Sequence, residues 1–67
     1  MSLPLSPREH TVLQLMWEGM KHKEICQTLD LQMNTVKNIR DRLGLKLHAR
    51  TSVQVIRRAL EKGLIQL

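Results

Sequence analysis

The sequence predicts an all-α domain of four short helices, and three observations carry that reading. Apolar residues recur at three- and four-residue intervals rather than alternately. Helix-start signals stand at Ser6 and Thr51, and stop signals at Gly19 and Gly63. At 67 residues the chain has room for one domain and for little in the way of a deep catalytic pocket.

The first helix opens in Leu5-Ser6-Pro7-Arg8-Glu9, where Ser6 can cap, Pro7 suits the first helical position and Glu9 completes a capping box. Val12, Leu13, Leu15 and Met16 then form one apolar arc, and Gly19 is the stop. A shorter second helix fits Lys23 to Leu29, with Ile25, Cys26 and Leu29 facing inward. Asp30 interrupts it and tolerates the left-handed conformation of a tight turn. The third helix begins near Met33. At about 100° per residue, Val36, Leu43 and Leu47 fall on one side, with Ile39 and Arg40 at its margins. Asn34, Lys37, Asn38, Asp41, Arg42 and Leu45 fall on the other, a polar face able to hydrogen-bond to base edges. Gly44 alone would read as a stop. Leu43 and Leu47 continue the stripe across it, so it reads as an interior glycine costing about 1 kcal/mol relative to alanine. Thr51-Ser52-Val53-Gln54 is a second capping box, opening a fourth helix that ends before Gly63. The apolar arc of that helix (Val53, Val55, Ile56, Ala59, Leu60) is wider than one small core can cover. Every helix is too short to persist alone, so packing must hold them.

The charge is one-sided. Eleven Lys+Arg oppose six Asp+Glu, for a net +5. Up to Val36 the basic residues are Arg8, Lys21 and Lys23, against Glu9, Glu18, Glu24 and Asp30. From Lys37 onward Lys37, Arg40, Arg42, Lys46, Arg50, Arg57, Arg58 and Lys62 face only Asp41 and Glu61. Such a field suits a polyanion, nucleic acid first and an anionic membrane second, although a merely solubilising surface accounts for charge equally well. Residues 1–4 read as a disordered or tag-derived N-terminus and 5–67 as the domain. One cysteine allows no internal disulfide and points to a reducing, cytoplasmic setting, with Cys26 a small core residue. No apolar run reaches the roughly 20 residues of a membrane span, and no signal-peptide pattern opens the chain. His10, His22 and His48 lack metal-ligand spacing, and neither a nucleophilic triad nor a phosphate loop can be assembled. The expectation is therefore no enzyme, no metal and no cofactor.

Several fragments, in order and at their usual spacing, resemble the LuxR-type (LuxR/FixJ/NarL) DNA-binding domain of bacterial transcription regulators. They are Leu5-Ser6-Pro7-Arg8-Glu9, Val12-Leu13-Gln14-Leu15 with Gly19, Lys23-Glu24-Ile25, Thr35-Val36-Lys37, Lys46-Leu47 and Gly63-Leu64-Ile65. The resemblance covers Leu5 to Ile65. It implies a helix-turn-helix of helices two and three, a recognition helix of about 33–46 in the major groove, and a fourth helix that serves as a dimer contact. By resemblance, Lys37, Asn38 and Asp41 reach base edges, and Lys23, Thr35 and Lys46 hold phosphates, which set register but carry no sequence information. Arg42, outward on the third helix, is a further phosphate candidate, with Arg40 or Arg42 otherwise screening the helix flank. Asp41 can also pair with Lys37 four residues earlier. Val55, Ile56 and Ala59 take core positions, leaving Val53, Arg57 and Leu60 as an outward strip for a weak two-fold homodimer formed on DNA. The family also implies an upstream regulatory domain in a longer protein.

The sequence departs from the family at several points. Lys21 and Gln32 stand where Ser or Thr usually caps, and neither caps well. Ile39 replaces a usual His, His48 a usual Gly, and Trp17 a common Ala, where it enlarges an edge patch for a neighbouring domain. Two other readings stay open. One is a sigma-factor-like promoter-binding domain, which shares the Lys-Glu-Ile and Thr-Val-Lys pattern. The other is a helical protein-interaction module that has lost DNA binding, favoured by Asp41 and the weak caps.

Overall fold

A computed structural model describes residues 4–65, so the expectation for residues 1–3 and the last two residues of the domain lie outside the described residues. Four helices follow one another: α1 (Pro7–Trp17), α2 (His22–Leu29), α3 (Met33–Leu47) and α4 (Ser52–Glu61). There is no strand among the described residues. The expected starts of α2 and end of α3 are each displaced by one residue.

The local start signals act as anticipated at α1. Glu9 N–H donates to Ser6 Oγ at 3.2 Å, and Ser6 N–H donates to Glu9 Oε1 at 2.8 Å, a closed capping box. At α4 only half of the expected box forms. Gln54 N–H donates to Thr51 Oγ1 at 3.1 Å, but the Gln54 side chain accepts from Arg50 N–H at 2.7 Å instead of from Thr51. Neither Lys21 nor Gln32 makes a side-chain cap bond. Lysine has no acceptor to offer, yet Glu24 Oε1 still receives the Lys21 N–H at 3.0 Å.

All four helices end the same way. The residues in the reversing position are Gly19, Asp30, His48 and Gly63, each with positive φ. After each, the next N–H reaches back across the last turn: Met20 to Leu15 O, Leu31 to Cys26 O, Ala49 to Gly44 O and Leu64 to Ala59 O, at 2.9–3.1 Å. This double closure satisfies carbonyls the helix would otherwise leave open. Asp30 and His48 hold φ 54, ψ 47, a conformation that strains a side chain with a Cβ. His48→Gly is accordingly expected to stabilise the domain by about 1 kcal/mol, read as a rise in thermal midpoint. A fall in midpoint would show that His48 makes an interaction worth more than the strain.

The reversal at His48 explains Gly44. It lies inside α3, as its stripe implied, but a Cβ there would stand 2.8 Å from the Ala49 carbonyl oxygen. The chain turns back onto its own helix, and only glycine lets the two backbones approach so closely.

The core is drawn from every element: Val12 and Leu13 of α1, Ile25 and Cys26 of α2, Val36, Ile39, Leu43 and Leu47 of α3, Val55 and Ala59 of α4, and Ile65. Each larger side chain so buried contributes about 1.5–3 kcal/mol. Helix α3 contacts each of the other three, so its inward stripe is the centre of the domain and its outward face is held at a fixed attitude. Ile39, anticipated at the margin, is only 4% exposed. Trp17 is half-buried and packs against the core, so most of its expected edge patch is used internally. Leu60, expected on the outward strip, is likewise half-buried against the core, whereas Val53 stays 77% exposed.

Candidate nucleic-acid interface

The outward face of α3 is built as its periodicity implied. Asn34, Lys37, Asn38, Asp41, Arg42 and Leu45 are all exposed, while Val36, Ile39, Leu43 and Leu47 are buried beneath them. Lys37 Nζ meets Asp41 Oδ2 at 3.1 Å, with both side chains more than 60% exposed. An exposed pair one helical turn apart contributes only about 0.3–0.5 kcal/mol, so either group can leave it for another partner. Thr35 is half-buried at the first turn of α3, and Lys23 is exposed on α2.

Lys46 is placed differently from the phosphate role expected for it. Its ammonium lies 2.6 Å from Glu9 Oε1 and 3.2 Å from the Pro4 carbonyl oxygen. The Lys46 side chain is 20% exposed and that of Glu9 only 2%. Nine residues after Lys37 at about 100° each, Lys46 points about 180° away from it, toward α1. Its charge is paired with an internal carboxylate. Burial pushes the Glu9 carboxyl up, but the Lys46 ammonium and the Ser6 N–H and hydroxyl outweigh that and hold it below the ordinary carboxylate range.

Arg40, at the margin of the inward stripe, is half-buried and holds partners that the local pattern does not reveal. Its Nη1 donates to His22 Nδ1 at 3.0 Å and its Nη2 to Ser52 Oγ at 2.5 Å. His22 Nε2 in turn donates to the Met33 carbonyl at 3.1 Å, which assigns the ring proton to Nε2. One guanidinium thus braces the start of α2, the middle of α3 and the start of α4. Its position beside the apolar stripe was the available signal, but its partners lie 18 and 12 residues away in the chain.

Beside α3 the surface is concave, with a volume of about 750 Å³ between the α3 side chains Lys37, Asp41 and Leu45 and the α4 entry at Arg50, Thr51 and Ser52. The described residues contain no cluster of His, Cys, Asp or Glu able to hold a metal, and no helix long and apolar enough to cross a membrane. An exposed polar helix face, cationic flanks and a helix–turn–helix pair with a third helix behind it fit a duplex rather than a small substrate.

Comparison with known proteins decides the family. The luxR family of bacterial regulatory proteins matches residues 3–59. The chain belongs to that family. It is similar to the transcriptional regulatory protein DesR of Bacillus subtilis, at 38% identity over 60 residues, covering 90% of this chain and 30% of that protein. It is similar to the putative positive transcription regulator of virulence factors BvgA of Bordetella pertussis, at 42% identity over 60 residues, covering 90% and 29%. Among solved structures it resembles the response regulator ChrA of a heme-sensing two-component system, with a TM-score of 0.91 and 27% identity, covering 94% of this chain and 31% of that one. It also resembles VqmA of Vibrio cholera in a ligand–DNA complex, with a TM-score of 0.87 and 31% identity, covering 96% and 28%. The chain therefore spans under a third of the length of these relatives. As a luxR-family chain it is a DNA-binding domain of the transcription-regulator type, not an enzyme. The family match sets aside the sigma-factor-like reading.

Proposed function

We propose that this luxR-family domain reads operator DNA with the outward face of α3, as the output module of a longer cytoplasmic regulator whose upstream domain receives the signal. The observation that carries the reading is the exposed set Lys37, Asn38 and Asp41, on a helix buttressed by the other three. Lys37 suits the acceptors of guanine, Asn38 the paired donor and acceptor of adenine, and Asp41 the amino group of cytosine. Lys23 and Arg42 flank that face as phosphate ligands. Thr35 joins them at the positive end of α3, whose first N–H groups carry no side-chain cap.

The test is a salt titration on a duplex selected from random sequence by the domain itself. The logarithm of affinity should fall linearly with the logarithm of salt, by about 0.9 per phosphate neutralised. Lys23→Ala and Arg42→Ala should each reduce that slope by about one and weaken all sequences alike. Binding insensitive to salt would end the proposal.

We further infer a weak homodimer on DNA through α4. Val53 is exposed, and Arg57 is exposed beside it with its Nε 3.7 Å from Glu61 Oε1. With Leu60 largely turned inward, little apolar area remains for a dimer, so the contact needs two adjacent half-sites to form. Sedimentation should show a monomer alone and two copies on a two-half-site duplex. A tight dimer without DNA would contradict this.

A further inference from the structure

The geometry points to Leu45 as a further specificity-determining residue, one that reads the 5-methyl group of a thymine in the major groove. The inference rests on the DNA-binding reading and extends it to a residue outside the polar set. Leu45 is 78% exposed, more than any other large apolar side chain among the described residues. It is not at the edge of the outward face but at its middle. With Lys37 taken as zero and about 100° per residue, Asp41 lies at about 40°, Leu45 at about 80° and Asn38 at about 100°. An apolar side chain therefore stands on the line of the residues best placed to meet bases.

Along the axis, Leu45 is seven residues beyond Asn38, about 10.5 Å at the helical rise. That is about three base-pair steps of 3.4 Å, so the two side chains would address different base pairs of one site. Leu45 also lines the concave surface beside α3, where the opposite side is formed by Arg50 and the α4 entry. An apolar protein partner seated there would have to strip water from Arg50, Lys37 and Asp41 with nothing to replace it. A DNA strand meets the same surface without that cost. Its phosphates suit the cation, and its major-groove edge offers one apolar group, the thymine methyl.

The experiment uses the 67-residue chain and duplexes it selects from a random pool. Each thymine of the selected site is replaced in turn by deoxyuridine, which removes the methyl and leaves pairing unchanged. At one position the unsubstituted protein should lose about fourfold in affinity, the effect of one buried methyl group. Leu45→Ala, at an exposed site where folding is unaffected, should bind the two duplexes equally. Selection repeated with Leu45→Gln should no longer return thymine at that step. If no thymine methyl matters more to the parent than to Leu45→Ala, this inference falls and the DNA reading stands. If no duplex is bound at all, both fall.

Discussion

Lys46→Met should lower the stability of the domain by about 3–5 kcal/mol, because it leaves the Glu9 charge buried without its partner. Glu9 is 2% exposed and its Oε1 lies 2.6 Å from the ammonium. The whole stability of a chain this size is about 3–10 kcal/mol, so the loss removes roughly a third of it or more. Urea denaturation followed by circular dichroism gives the measurement. The double variant Glu9→Gln with Lys46→Met should recover most of the loss. A glutamine carbonyl can still accept the Ser6 N–H, and no charge is left in the interior. A single variant as stable as the parent would show that the pair is solvated in solution. The pH dependence follows from the direction of the Glu9 shift. A carboxyl held below its usual range adds stability that is complete above about pH 4.3. It is lost as pH falls through the lowered folded-state value. The Glu9→Gln, Lys46→Met protein should lack that acid-labile component.

Asn38→Ala should weaken binding to the selected operator by about 1–3 kcal/mol, roughly 5- to 150-fold, and leave binding to random duplex nearly unchanged. The side chain is exposed near the middle of the outward face of α3, so its loss leaves the core untouched and, on the proposed reading, removes a base contact. Asp41→Ala should act in the opposite sense on random DNA. It removes an anion that repels phosphate and releases Lys37 from its 3.1 Å pairing. Affinity for random duplex should rise more than affinity for the operator, because at the operator a cytosine contact is lost as well. Competition binding with the two duplexes at one salt concentration reads both variants. An equal rise for operator and random DNA would mean that Asp41 only holds Lys37. An equal fall for both with Asn38→Ala would mean that Asn38 reads no base.

These two predictions differ in how far the sequence alone could have led to them. The exposed face of α3 was legible because a helix imposes its own period. Once Val36, Leu43 and Leu47 are assigned inward, Asn38 and Asp41 can only face out. The Ser6–Glu9 capping box was legible for the same reason, since its partners are three residues apart. The second box, at Thr51, was read in full and forms in half, because Arg50 N–H competes for the Gln54 carbonyl. The Lys46–Glu9 pair was not legible, because the two residues are 37 apart in the chain. Nothing in the local pattern separates a lysine that meets DNA from one that neutralises a buried glutamate.

The recognition helix is thus determined at two levels. Periodicity, caps and reversals depend on interactions within about four residues, so the sequence by itself settles four helices and the inward and outward faces of α3. The family match over residues 3–59 agrees with that reading. Only the tertiary structure decides which cations are paired within the domain. Lys46 turns to Glu9, Arg40 is held between His22 and Ser52, and Leu60 turns toward the core. The physical reason is that a charge or an apolar surface goes to whichever partner relieves its desolvation best, and chain folding alone brings those partners within reach.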